Sequence, residues 1–192
     1  MPLLVIAVVV FTLLMLACAG QQDNKLLDDA IALAEQGSQA LNDMDMEAYA
    51  SVIHPDDLEN FRAMLMSDIE RLAQLRQTDS ITLFDKSFSI EDLRSEPAEK
   101  FFVDLMVSIF EISPELKTSF TEMTNDHIGA VAQSDSLIHV VVNTKMQVGT
   151  KHVNEMNVST VRRYEDGWKL SMSNKIEGIA LMLQQSLRMQ QG

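Results

Sequence analysis

At about residue 127 the spacing of apolar residues changes from every third or fourth position to every second, and this change limits the folds open to the chain. Beyond it, residues 127–134, 137–148, 152–164 and 168–173 read as four strands. In the second of these, Ile138, Val140, Val142, Met146 and Val148 share one face. His139, Val141, Asn143, Lys145 and Gln147 share the other, which describes a sheet with one covered face and one wetter face. The joins at 133–136, 148–150 and 165–167 are short and rich in turn residues, so the strands form an antiparallel meander.

Upstream of the change the period is helical. Leu27, Ala30, Ile31, Ala34 and Leu41 mark a first helix, with Asp28 and Asp29 in its first turn, where the helix dipole favours anions. A second, short helix runs from Met46 to Ile53 and stops before Pro55. A third opens at Asp56, with Glu59 three residues on as an aspartate form of the capping box. Its stripe is Leu58, Phe61, Leu65, Ile69, Leu72 and Leu75. A short strand over 81–84 follows. Pro97 then begins a helix with Phe101, Phe102, Leu105, Met106, Ile109 and Phe110 on one broad side. Ser113, as N-cap, and Pro114, as first helical residue, restart a further turn or two. A last helix spans 177–190, with Ile179, Ala180, Leu183 and Leu187 on one side. That side either packs on the rest of the domain or meets a partner.

Helices first and an antiparallel meander second make an α+β layout: N-terminal helices on a curved antiparallel sheet, with an extra C-terminal helix. Two stretches carry a resemblance to a known family. One is Asn42-Asp43-Met44-Asp45-Met46-Glu47-Ala48-Tyr49 followed by His54-Pro55-Asp56-Asp57. The other is Arg163-Tyr164-Glu165-Asp166-Gly167-Trp168-Lys169-Leu170. They resemble the opening helices and the last hairpin of the nuclear transport factor two-like (cystatin-like, SnoaL-like) superfamily, a cone-shaped α+β fold. The resemblance implies a pocket enclosed by the curved sheet and the helices, used by relatives for isomerisation, dehydration, hydrolysis or ligand binding. In catalytic relatives a pocket Asp or His acts as base near a Tyr donor, and the nearest candidates here are Tyr49, His54, Asp85 and Tyr164. Relatives also dimerise through the open sheet face, which the added C-terminal helix could cover instead.

The charge balance excludes one class of partner. Lys and Arg number 15 against 28 Asp and Glu, a formal charge of −13, so no nucleic-acid binding is expected. The chain holds one cysteine, which rules out an internal disulfide framework and a cysteine-based zinc site. That cysteine ends an apolar run, MPLLVIAVVVFTLLMLAC, that contains no charged residue. Met15-Leu16-Ala17-Cys18 resembles the bacterial lipobox, which makes 1–17 a signal peptide, Cys18 the lipidated first mature residue and 18–25 a short tether. Ordinary signal cleavage and an uncleaved anchor helix are the other readings of the run. Residues 26–192 then form a single α+β domain. Acylation at Cys18 would hold it stably at a membrane. Ala19, by the same resemblance, favours the outer membrane, with the domain facing the periplasm.

The chemistry-bearing residues form no known constellation. His54, His127, His139 and His152 lie far apart without metal-ligand spacing, and neither a metal nor another cofactor is expected. His54 is expected to cap the last carbonyls of the helix before Pro55. His139 and His152 are expected to be solvated. Most carboxylates fall in first helical turns or in loops, which accounts for them structurally. Met146, Met156 and Met172 are placed on the covered sheet face beside Val158, Trp168 and Leu170, as core filling or as a soft lining for an apolar ligand. Tyr49, His54, Met146, Met156, Tyr164 and Trp168 are thus the candidate pocket residues. The function expected is a non-enzymatic ligand-binding or envelope-accessory lipoprotein, partnered by the membrane through Cys18 and by a small apolar ligand or an envelope protein. The alternative is a small pocket enzyme of hydratase or isomerase type.

Overall fold

Helical periodicity gives way to strand alternation where the sequence places the change. The computed structural model describes residues 24–84, 86–148 and 151–190. The expected signal and lipid-attachment segment, with Cys18, lies outside them, and so does Asp85. The first helix (α1, 24–42) already includes residues 24 and 25, which the sequence assigned to the tether. Its buried face is small: Ala30, Ala34, Gly37 and Ala40, with Leu41. A Cβ on Gly37 would stand 2.5 Å from Leu170 Cδ1, so the missing side chain is what lets α1 approach the sheet so closely.

Met44, at φ 59°, turns the chain into α2 (Met46–Val52), whose N-cap Asp45 accepts from the Ala48 N–H at 2.9 Å. The long α3 (Pro55–Arg76) buries Leu58, Phe61, Leu65, Ile69 and Leu72 as the stripe requires. Leu75, the expected end of that stripe, is exposed instead, in the last turn before the left-handed Gln77 closes the helix. A hairpin of β1 (Ser80–Leu83) and β2 (Lys86–Ser89) follows, and only its first strand is legible in the sequence. The short α4 (Ile90–Ser95) leads into α5 (Ala98–Ile112) and α6 (Pro114–Thr121). Ser113 sits at the N-cap position of α6 as expected but makes no side-chain capping bond. Phe102 is fully buried at the junction of α2, α3 and α5, with its ring 5.1 Å from Phe61 and 6.0 Å from Tyr49.

The sheet is a meander, β3 (Thr124–Ser134), β4 (Leu137–Val148), β5 (Lys151–Tyr164) and β6 (Gly167–Leu170), paired in sequence order and antiparallel throughout. Register shifts at His127/Gly129 and Ala132/Ser134 interrupt β3, as bulges that bend a strand do. Ile138, Val140, Val142, Val161 and Leu170 face inward and join the helices in one core. The fold is therefore the α+β arrangement expected: helices first, a bent antiparallel sheet, and a C-terminal helix. That last helix, α7 (Asn174–Met189), starts three residues earlier than the sequence suggested and is capped by Ser173.

Two expectations fail here. The C-terminal helix does not cover the open sheet face. It packs on α3, buries Ile176, Ile179 and Ala180, and pairs Arg188 with the buried Asp68 at 3.1 Å. The open face is left bare, with Ile128, Val131, Met156 and Val158 each about 60% exposed. Met156 and Val158 were expected on the covered face. The pairing of Val161 with Ile138 puts the odd-numbered residues of β5 inward, so both fall on the other side. Among the described residues no helix is long and apolar enough to cross a membrane.

Candidate functional site

β6 is short, and beyond Val161 it no longer pairs β5; the chain segment from Ser171 takes its place, with the Ser171 N–H donating to Thr160 O at 2.7 Å. The irregular edge so formed borders a cavity of about 270 Å³. Ala34, Gly37, Ser38 and Leu41 of α1 form one wall, the inward residues of β3–β5 a second, and Met172 to Glu177 the rim. Small residues on α1 make the space: bulkier side chains there would fill it.

Polar groups converge in this cavity. Tyr49, 2% exposed, donates from its hydroxyl to Ser173 Oγ at 3.5 Å. Burial pushes its phenol above the ordinary value, so it remains a neutral donor. Thr144 donates to Asn125 Oδ1 at 2.8 Å across β3 and β4. Asn157 places a buried amide nitrogen, Nδ2, that has no hydrogen-bond partner. Lys175, in the first turn of α7, is half-buried, and among the described residues its one polar contact is with Met123 Sδ at 3.0 Å. Desolvation pulls its ammonium below the ordinary value, with the charge of Glu155 opposing.

A second polar group lies beside the cavity. Ser38, which also lines the first wall, stands 3.4 Å from His127 Nε2. Glu35 Oε1 is 4.0 Å from His127 Nδ1, beyond hydrogen-bond reach. The imidazole is buried, and desolvation lowers its pKa against the opposing pull of Glu35, the Ala34 carbonyl and Asp126. His127 is thus held neutral near pH 7, facing an open groove with Asn42 and Asn125. Among the described residues no cluster of three His, Cys, Asp or Glu side chains could hold a metal ion. A third space of about 380 Å³, between α3, α5, β1 and α7, is lined by Leu65, Ile69, Leu105 and Leu183 and holds no ionisable side chain.

Of the six candidate pocket residues, Tyr49 alone lines the polar cavity, joined there by Met172, Val158 and Leu170 of the expected soft lining. His54 and Tyr164 do meet, edge to face with ring centres 5.3 Å apart, but at the start of α3. His54 does not cap the preceding helix; it is the N-cap of α3, its Nδ1 accepting from the Asp56 N–H at 3.3 Å and its own N–H donating to Leu170 O. Trp168 lies under the Arg163 guanidinium at 5.5 Å, Met146 is half-buried on β4, and Met156 is in solvent. His139 is not free in solvent either, since its ring nitrogens bond Gln133 and Thr160. Asn125, Asn157, Ser173 and Lys175 of the cavity are not marked out by any motif in the sequence. An inward-facing Asn on a covered strand was the available signal, hidden because apolar residues of β5 fall at uneven steps.

No family model matches the chain, and no curated protein matches it. Among solved structures, one that resembles it is an NTF-2-like protein of unknown function from Shewanella oneidensis MR-1, 14% identical, with a TM-score of 0.42. The match covers 76% of this chain and 93% of the other. The two differ enough that nothing about this chain's ligand follows from the likeness.

Proposed function

We propose that the chain is an envelope lipoprotein, anchored through Cys18, whose domain binds a small molecule in the cavity between α1, the sheet and the start of α7 without transforming it. The observation that carries the binding reading is the buried Asn157 Nδ2, a donor the fold leaves unpartnered at the cavity wall. Native structures rarely leave such a group without a partner, whether protein, water or ligand, and this one faces a space that a ligand can enter. Tyr49 and Ser173 touch each other, but among the described residues no acid–base pair within hydrogen-bond reach lines the cavity, which is why binding is preferred to catalysis. The anchor rests on the uncharged apolar run that ends at Cys18. A fold of the nuclear transport factor two-like kind fits both the layout and the pocket, and is part of the same proposal.

One observation favours the alternative, a small pocket enzyme of hydratase or isomerase type: neutral, buried His127 beside Ser38 has the protonation state of a general base. Native mass spectrometry of the purified full-length chain separates the readings. Binding is supported if a small molecule co-purifies and is released unchanged, and if Ser159→Trp, which fills the cavity, purifies without it. Turnover of that molecule would instead favour the enzyme. For the anchor, wild type grown with labelled palmitate should take up label and Cys18→Ser should not; an unlabelled wild type removes the lipoprotein reading.

A further inference from the structure

Several hydrogen-bond donors of the cavity wall are left unspent by the fold. Ser173 Oγ accepts from both the Tyr49 hydroxyl and the Ile176 N–H, which leaves its own hydrogen to give. Asn125 spends its Oδ1 on Thr144, which leaves its amide nitrogen. Asn157 Nδ2 has no partner. Lys175 carries three N–H groups and meets one thioether, a weak acceptor. Among the described residues no carboxylate lies within ion-pairing distance of it. Such a set is complementary to a ligand that brings oxygen lone pairs, and an ammonium without a counter-ion is complementary to one that brings negative charge.

The surroundings limit that charge. Glu177 stands at the rim, and Glu155 acts on Lys175 from β5. Both are exposed, and the chain as a whole carries −13. One negative group can be met by Lys175; a second would find carboxylates instead. The remaining lining is Ala34, Leu41, Val142, Leu170 and Met172, which suits a short apolar body.

We propose that the cavity takes a small organic acid with one carboxylate on a short apolar body. The carboxylate accepts from Lys175 Nζ and Asn157 Nδ2, and the apolar body lies against α1 and Met172. The inference rests on the ligand-binding reading above and narrows it to one chemical class.

Isothermal titration of the full-length chain tests it, with hexanoate, benzoate, hexanamide, adipate and inorganic phosphate as probes. A monocarboxylate should bind, and hexanamide should bind about tenfold more weakly or worse, as loss of a charge-assisted contact requires. Adipate and phosphate should not bind. Lys175→Met should weaken hexanoate by about tenfold while leaving hexanamide as it was, and Lys175→Arg should recover part of the loss. Asn157→Leu should weaken both. If Lys175→Met does not fold, Lys175→Gln serves in its place. Equal binding of hexanoate and hexanamide, or hexanoate binding untouched by loss of the Lys175 charge, overturns the proposal. If native mass spectrometry finds a retained molecule but neither acid binds, the class is wrong and the ligand-binding reading stands. If nothing is retained and no probe binds, both fail.

Discussion

Asp57 shows how one side chain joins the two halves of the fold. It sits in the first turn of α3, where its charge suits the helix dipole, and reaches the sheet from there. One carboxylate oxygen lies 2.5 Å from Arg162 Nη2 and the other accepts from the Met172 N–H at 2.9 Å. Met172 opens the segment that borders the cavity, so the bond also fixes the rim. Asp57→Ala is expected to cost about 1.5–3 kcal/mol in urea unfolding, the range for a hydrogen bond to a charged group. His127 gives the pH dependence. Its pKa in the fold lies below the ordinary 6.5, so the unfolded chain binds its proton more readily. The stabilisation is therefore fully present above 6.5 and is lost as pH falls from there through the lowered folded value. Unfolding free energies of wild type and His127→Gln, measured from about pH 8 to pH 5, should converge toward the acid end. A constant gap would show that the imidazole is not desolvated as described.

At the scale of elements, legibility followed the strength of the local pattern. The stripe of α3 repeats over most of 22 residues and could be read directly. So could β4, whose alternation runs unbroken from Ile138 to Val142 with no competing period. β2 and α4 are not legible because each is short and carries few apolar residues, Phe88 alone in β2 and Ile90 and Leu93 in α4, whereas the equally short β1 carries Ile81 and Leu83 in alternation. β5 was found as a strand but its facing was not. Val153, Met156, Val158 and Val161 fit neither parity, and only pairing with β4 decides between them. The same gap hid Asn157, since a residue cannot be assigned to a cavity before its face is known. The register has a direct test in the two valines. Val158→Lys, in solvent, should change unfolding free energy by less than about 0.5 kcal/mol, whereas Val161→Lys should prevent stable folding. The reverse order, with Val158→Lys the damaging change and Val161→Lys the tolerated one, would mean that β5 is slipped by one residue.

For the molecule as a whole, helices packed on a bent antiparallel sheet leave two kinds of surface. Inside is a small cavity with hydrogen-bond donors that the fold leaves unspent. Outside, the chain is acidic at −13, which opposes close approach to an anionic lipid surface except through the proposed acyl anchor. Function then depends on whether the space beside the end of β6 is where a ligand goes. The most direct measurement is a solution NMR titration of the isotopically labelled chain with hexanoate, following each backbone amide. The shifts should concentrate on residues 157–160 of β5 and 171–177 at the start of α7, with Ser38 and Leu41 on α1. Shifts confined to the apolar space between α3, α5 and α7, around Leu65, Ile69 and Leu183, or no shifts at all, would contradict it.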